Sequence, residues 1–284
     1  MNRNFSQYST FRNQLPITMD QVRSLAPSAF AAEAHESRSA RYTYIPTSAV
    51  IEGMMKEGFQ PYSASQSNAR TEDKASHTKH MIRFRQASDV ALTVGDSLPE
   101  IILVNSHDGS SAYEIIAGIY RLICMNGLAV DNGTLGSLHI AHKGDVVSKV
   151  IEGSIEILDR TDRILDTVKQ WQSLQLTSGE QSAYANAVHS LRFDDADRGT
   201  AKAIEPARML DARRSDDKGN DLWRVFNRAQ ENALRGGLRG HRVEPGKPTR
   251  RVKTRAVNGI TQNIGLNRAL WQITAFFAEQ KSAA

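Results

Sequence analysis

The change of hydrophobic period at Gly58 restricts the possible folds more than any other feature of the sequence. Before it, an N-cap at Thr47 precedes four apolar residues at helical spacing: Val50, Ile51, Met54 and Met55. After it come short segments with the alternation or the β-branched content of strands, at 59–67, 81–85 and 101–105. Turn-forming residues around 95–99 separate the last two segments. From residue 146 the pattern is helical again, so the order of elements predicts an α+β fold with an antiparallel sheet.

A long helix is predicted to lie across this sheet. Ser111 and Glu114 have the spacing of a capping box, and apolar residues would cover more than half of a helix drawn from residue 111 to 125. Another capping box, from Thr18 to Gln21, predicts a short helix that ends before Pro27. Further helices are expected at 146–174, 178–191, 201–211, 221–234 and 260–281.

The predicted organisation has three parts. Residues 1–15 are polar and form an N-terminal arm, residues 16–145 form the α+β core domain, and residues 146–284 form a mainly helical region. The segment at 236–255 is rich in Gly and Pro, which predicts a flexible loop without stable secondary structure.

Positive charge is concentrated in the C-terminal part of the chain. Residues 201–284 hold 17 Lys and Arg against 8 Asp and Glu, whereas residues 1–200 hold 19 against 23. Such an asymmetry suggests a polyanionic partner. The predicted loop alone contains seven basic residues, which could neutralise phosphates without reading sequence, although a solvated linker would look the same: Arg239, Arg242, Lys247, Arg250, Arg251, Lys253 and Arg255.

A second cationic surface is predicted on the sheet. In a strand, Arg83 and Arg85 project from one face while Ile82 and Phe84 point to the other. Beside Tyr62, which offers a stacking surface, such a face could hold a sugar-phosphate backbone. The alternative is a solvent-facing strand edge blunted by charge. The other basic residues assigned to this surface precede the strand: Arg70, Lys74 and Lys79.

Histidine pairs raise the possibility of a metal site. His77 with His80, and His139 with His142, share an H-x-x-H spacing. Residues three apart in an extended segment face opposite sides, so we expect hydrogen bonding instead and predict no metal or other cofactor.

The segment 105–111 contains Ser, His and Asp, the residue types of a serine triad, but triad members normally converge from separate segments. We interpret it as a turn followed by the helix cap at Ser111, with a phosphate contact at that helix terminus as the second interpretation. Walker A, dinucleotide-binding and nuclease patterns are not found in the sequence, so we do not expect nucleotide hydrolysis.

A cytoplasmic, membrane-free protein is expected. The chain has one cysteine, Cys124, which suits a reducing compartment. It contains no run of eighteen apolar residues, and its first residues are polar.

The chain resembles a family of phage- and plasmid-encoded proteins over most of residues 15–150. The similarity is carried by RYTYIPT at 41–47, EGFQP at 57–61, HMIRFR at 80–85, PEIILVNSHDG at 99–109 and AGIYRLICMNGL at 117–128. The resemblance implies an origin in mobile elements.

The order of elements over residues 47–127 also resembles that of single-strand annealing proteins of the Rad-type recombination mediator superfamily. In those proteins a helix leads through a Gly-aromatic step, here Gly58-Phe59, into a hairpin and then a long helix. The resemblance implies that DNA binds along a basic groove and that subunits assemble into a homo-oligomer such as a ring. The positions that match in character are Arg70, Lys74, Lys79, Arg83 and Arg85.

These features together predict sequence-independent binding of single-stranded DNA and strand annealing in mobile-element recombination. Annealing needs charge neutralisation and exposed bases but no covalent chemistry, so no catalytic residue is assigned. The alternative is an anti-restriction or anti-defence protein that acts by binding a host protein.

Overall fold

The chain forms two compact units, Met1–Asp162 and Arg163–Ala284. The computed structural model describes residues 15–31, 33, 45–68, 76–86, 97–108, 111–121, 126–130, 137–142, 144–193, 203–243 and 246–283. Arg70, Lys74 and Cys124 lie outside the described residues, as does most of the predicted N-terminal arm.

The N-terminal unit is built on one antiparallel sheet. Its strands are β1 (Phe59–Gln66), β2 (His80–Gln86), β3 (Ser97–Asn105), β4 (Tyr113–Arg121), β5 (Asn126–Ala129) and β6 (Ser137–Ile140). The first five strands pair in chain order, and β6 pairs with the first half of β4 while β5 pairs with its second half. A bulge at Tyr62 interrupts the pairing of β1 with β2.

The described part of this unit contains three α-helices, α1 (Met19–Leu25), α2 (Thr47–Lys56) and α3 (Val146–Asp159), and a 3₁₀ helix at Pro27–Phe30. Helix α3 lies against the sheet so closely that a Cβ added to Gly153 would be 2.9 Å from Ile115 of β4. A Cβ on Gly53 of α2 would likewise be 2.9 Å from Val147 of α3. The predicted α+β fold with an antiparallel sheet and helices is therefore confirmed, together with the capping box at Thr18.

The helix predicted from residue 111 to 125 is wrong, because its first part is strand β4. The apolar residues that would have covered a broad helical face instead lie on both faces of a strand, with Ile115 opposite Leu103 and Ile116 opposite Ile102. A short apolar run with β-branched residues is compatible with either structure, and burial on both faces favours the strand here. The turn expected near residues 98 and 99 is wrong too, since β3 includes both and all nine of its residues are buried.

Helices form most of the C-terminal unit: α4 (Thr161–Ser173, which begins just before the boundary), α5 (Ser178–Arg192), α6 (Leu222–Arg235) and α7 (Ile260–Ala283). Trp171, Trp223, Phe226 and Trp271 pack together in its core, with the rings of Trp171 and Trp271 4.3 Å apart. The helix predicted at 146–174 is two helices that meet at Arg160. The one predicted at 201–211 is a 3₁₀ turn, Pro206–Leu210, in the described part of that range.

Helix α6 is buried although it carries many polar residues. The side-chain amide of Asn232 donates to the carbonyls of Met209 at 3.0 Å and Asp211 at 2.9 Å. Arg228 donates to the carbonyls of Asp217 at 2.7 Å and Gly219 at 2.8 Å. These bonds satisfy the side-chain amide of Asn232 and one guanidinium nitrogen of Arg228, and they attach the irregular segment 209–219 to the helix.

A β-hairpin replaces the flexible loop predicted at 236–255. Strands β7 (Arg239–Arg242) and β8 (Arg250–Lys253) pair in an antiparallel sheet of two strands, and we call residues 239–253 the basic hairpin. Gly236 and Gly237, at φ values of 62° and 84°, make the left-handed turn that leads from α6 into it. Gly and Pro indicate a turn, but they do not show whether the flanking residues pair.

Gly240 brings the hairpin directly against the preceding chain. The amide of His241 donates to the carbonyl of Ala203 at 3.1 Å, and a Cβ on Gly240 would lie 1.7 Å from that same oxygen.

Among the helices that the structure describes, none has the length and hydrophobicity needed to span a membrane.

Gly240→Ala is expected to move the hairpin away from Ala203, because the added methyl cannot fit. The free energy of unfolding should fall by about 1 to 3 kcal/mol, as in other overpacked sites. Urea unfolding followed by tryptophan fluorescence measures this loss, because all three tryptophans belong to the C-terminal unit. The amide of His241 should also exchange faster with solvent.

Gly265→Ala is the matched control, since a Cβ there meets no atom within 4 Å. It should leave both measurements close to wild type or slightly stabilise α7. Unchanged exchange at His241 in the Gly240→Ala variant would contradict the close contact.

Candidate functional site

The two arginines of β2 are buried, so the prediction that they form a cationic surface is wrong. Arg83 and Arg85 are 8% and 5% exposed. Arg83 donates to one oxygen of Glu100 at 2.9 Å, and Arg85 donates to the other at 2.8 Å. The Glu100 side chain is fully buried on the neighbouring strand β3. Burial of a guanidinium requires such a partner, because an unpaired charge would be strongly destabilised.

The ring of Tyr62 is also unavailable for stacking on a base. The guanidinium of Arg85 lies between two rings, 4.2 Å from the centre of Tyr62 and 3.7 Å from that of Tyr120. Cation–π stacking thus uses the face of Tyr62 that we had predicted to stack on a base. Lys79 is half-buried before β2, so none of the described residues predicted for the sheet surface offers a fully exposed cation.

The basic hairpin, in contrast, exposes its charges. The seven basic residues predicted to bind phosphates, six in the hairpin and Arg255 just after it, are all exposed: Arg239, Arg242, Lys247, Arg250, Arg251, Lys253 and Arg255. Basic residues stand opposite one another in three of its four cross-strand pairs, which are Arg239 with Lys253, His241 with Arg251, and Arg242 with Arg250. Like charges placed directly opposite destabilise a hairpin.

Among the described residues, three cations of the outward face have no acidic partner. Arg239, Arg251 and Lys253 make no ion pair with any carboxylate of the residues that the structure describes. Arg192 connects the two chain segments at the base of the hairpin, because its guanidinium donates to the carbonyls of Ala233 at 2.8 Å and Arg255 at 2.9 Å. The hairpin is therefore a structured cationic surface and not the flexible loop predicted from the sequence.

A second polar cluster lies in the N-terminal unit, at one end of the sheet. Because neighbouring strands are antiparallel, the start of β2, the end of β3 and the start of β4 meet there, bringing together His80, Asn105 and Tyr113. Thr47 approaches from the start of α2, and His107 and His142 from the segments after β3 and β6. We call these six residues the histidine cluster.

The hydroxyl of Thr47 is the centre of the cluster. It lies 2.9 Å from Nε2 of His80, 3.1 Å from Nε2 of His107 and 3.1 Å from the side-chain nitrogen of Asn105. Pro46 occupies the N-cap position of α2, so the predicted role of Thr47 as N-cap is wrong.

The hydrogen bonds indicate which ring nitrogens carry protons. Nδ1 of His80 lies 3.1 Å from the carbonyl of Thr78, which can only accept, so Nδ1 is protonated and Nε2 accepts from Thr47. With its single proton used, Thr47 accepts from Nε2 of His107 and from Asn105. The neutral ring of His80 thus both donates and accepts, whereas the neutral ring of His107 donates through Nε2 and its buried Nδ1 has no hydrogen-bond partner among the described residues.

The pKa values agree with neutral rings. Burial lowers the pKa of His80 from 6.5 to about 4. Burial, together with the nearby His80 and His142, lowers the pKa of His107 to about 3. The pKa of His142 is also lowered, chiefly by burial. A proton added at Nε2 of His80 would face the Thr47 hydroxyl that donates to it, and a proton added at Nδ1 of His107 would leave a buried charge without a hydrogen-bond partner.

The cluster acts as a structural tie. Thr47, His80, Asn105, His107 and Tyr113 are all 0% exposed, so no substrate reaches the Thr47 hydroxyl. Of the two H-x-x-H motifs, one histidine from each enters the cluster, His80 and His142, and neither motif acts as a pair. The described residues contain no group of three or more His, Cys, Asp or Glu that could hold a metal ion.

Sequence patterns gave little sign of the cluster. No helix begins at Ser111, since β4 starts at Tyr113, so the helix cap and the phosphate contact predicted there are both wrong. The amide of Ser111 instead donates to the hydroxyl of Ser106 at 2.9 Å. The useful signal would have been polar residues at the ends of successive strands, namely His80, Asn105 and Tyr113, but it depends on recognising β4 as a strand.

Comparisons with known proteins give the family. A family described as a domain of unknown function, DUF932, matches residues 34–271. The chain belongs to the DUF932 family. Two Escherichia coli K12 relatives, the UPF0380 proteins YafZ and YfjQ, are each 41% identical to the DUF932 chain over 267 residues, covering 94% of it and 93% of each relative. No solved structure shows a significant match.

The resemblance to single-strand annealing proteins is not supported. Neither the DUF932 description nor the names of the two relatives state a ligand or a reaction. The resemblance also required a helix after the hairpin, where the DUF932 chain has strand β4.

Glu100→Gln is expected to destabilise the N-terminal unit by about 3 kcal/mol or more, because it leaves two buried guanidinium groups without their carboxylate. Urea unfolding followed by far-UV circular dichroism measures the change. Glu114→Gln on β4 is the control: its half-buried carboxylate faces an exposed His139 at 3.7 Å, and its loss should change the free energy of unfolding by less than about 1 kcal/mol. Equal effects of the two variants would contradict a buried ion pair as the cause.

Acid should unfold the N-terminal unit because of the histidine cluster. In the unfolded chain both histidines bind a proton below about pH 6.5, whereas in the folded protein His80 does so only near pH 4 and His107 only near pH 3. Their full contribution to the free energy of unfolding is therefore present above pH 6.5, and it is lost as pH decreases below that value. Two such groups give a slope of about 3 kcal/mol per pH unit. Circular dichroism at stepped pH should report unfolding while tryptophan fluorescence, confined to the other unit, changes later.

His80→Gln should roughly halve this slope, and His241→Gln, at an exposed hairpin position, should leave it unchanged. A slope that is the same in wild type and His80→Gln would show that other groups drive the acid transition.

Proposed function

We propose that this DUF932 chain binds single-stranded DNA without sequence preference, and that the basic hairpin makes the contact. The observation that carries the proposal is the facing of like charges across the hairpin, at Arg239 with Lys253 and at Arg242 with Arg250. Like charges in this position weaken a hairpin, and at Arg239 and Lys253 no carboxylate of the described residues offsets them; such an arrangement is typical of a functional surface. A polyanion supplies negative charge opposite these cations.

Single-strand binding of this kind depends on the phosphates and not on base identity. Each cation that neutralises a phosphate releases a counterion, which gives affinity without sequence preference and a steep dependence on salt. No nucleotide hydrolysis is required. Arg83, Arg85 and Tyr62 do not contribute to this binding, because they are buried in the sheet.

Strand annealing in mobile-element recombination is the activity that we connect with this binding. Neutralising the phosphates of two complementary strands lowers their repulsion, and contacts confined to the backbone leave the bases available for pairing. Several copies of the chain on one strand, as a homo-oligomer, would add their hairpins along the same backbone.

Lys253→Glu separates binding from folding. A glutamate opposite Arg239 replaces repulsion by an ion pair, so the C-terminal unit should gain about 0.2 to 1 kcal/mol in the free energy of unfolding. Affinity for a labelled oligothymidine should nevertheless fall, and the slope of log K against log salt should decrease in magnitude by at least about 0.7. Fluorescence anisotropy at several salt concentrations and urea unfolding measure the two effects.

Lys218→Glu is the charge-matched control, at an exposed lysine of the same unit outside the hairpin. It should leave the salt slope close to wild type. Wild-type protein that does not bind the oligonucleotide at low salt, or that binds equally at all salt concentrations, would overturn the proposal and favour a host protein as the partner.

A further inference from the structure

The outward face of the basic hairpin ends in an exposed apolar side chain. Val243, directly after β7, is 74% exposed, and it is the one hairpin residue among the exposed large hydrophobic side chains of the described chain. Because side chains alternate along a strand, Val243 continues the row formed by Arg239 and His241. Gly240, on the opposite face, lies against Ala203. The row that includes Val243 is therefore the one turned away from the protein.

The spacing of the cations on this face fits one row of phosphates. Facing residues such as Arg239 and Lys253 are about 5 Å apart across the strands. Successive residues of one row, such as Arg251 and Lys253, are about 7 Å apart. Two rows this close together can both contact the phosphates of a single backbone. Because a two-stranded ribbon also fits a major groove about 12 Å wide, the charges by themselves do not distinguish a single strand from a duplex.

We infer that Val243 packs on an unpaired base or its sugar while Arg239, Arg251 and Lys253 hold the backbone of the same strand. The preferred ligand is then an unpaired strand rather than a duplex, since a duplex keeps the faces of its bases stacked inside. This inference rests on the proposed function and adds to it a non-ionic contact that selects single strands.

Val243→Thr tests this contact, because threonine keeps the branched shape and the strand preference but replaces one methyl by a hydroxyl. Affinity for oligothymidine should fall about three- to fourfold, the effect expected for losing one buried methyl. The reduction should be the same at every salt concentration, with the salt slope unchanged, because no charge is removed. A duplex of equal length should bind both proteins alike.

Ile155→Thr is the control, at a side chain 43% exposed on α3 of the N-terminal unit, and it should leave affinity unchanged. If wild-type protein binds oligothymidine and Val243→Thr binds it equally well, the inference fails while the proposed function stands. Equal losses on single strand and duplex, or a changed salt slope, also overturn it, because they indicate an altered hairpin. If wild-type protein binds neither ligand, the proposed function fails first.

Discussion

Burial of the central strands on both faces is the constraint on which the N-terminal unit depends. Every residue of β3 is buried, and so are most of β2 and β4. A polar side chain on these strands must find its partner inside the protein. The register of the sheet provides such partners on both faces. On one face Glu100 accepts hydrogen bonds from both arginines of β2. At the end of the opposite face the Thr47 hydroxyl is hydrogen-bonded to His80.

The C-terminal unit treats its charges in the opposite way. Inside it, Glu231 accepts from Arg214 and Arg235, and buried donors of α6 reach backbone carbonyls. On the basic hairpin, by contrast, Arg239 faces Lys253, and no carboxylate of the described residues pairs with either of them or with Arg251. Paired arginines within the same unit show that the unpaired ones are not a general property of its composition. This contrast, more than the total charge, makes the hairpin a candidate interface.

Several elements could be recognised from local patterns and others could not. The helix at Thr47–Lys56 and the capping box at Thr18 were predicted from spacing that acts over one or two turns, so no distant residue was needed. The segment 113–121 was predicted as a helix because its apolar residues satisfy either period, and pairing with β3 decides between them. The charge of the hairpin was predicted correctly, but its pairing depends on Gly240 docking against Ala203.

The sequence by itself determined the α+β class, the position of the shorter helices and the concentration of positive charge near the C-terminus. These properties depend on composition and on neighbours a few residues away. Only the tertiary structure decided which cations are available. Arg83 and Arg251 are the same residue type in comparable strands, yet one is buried against Glu100 and the other is exposed. The difference arises because strand register and packing bring the carboxylate of Glu100 to Arg83, whereas no carboxylate of the described residues pairs with Arg251.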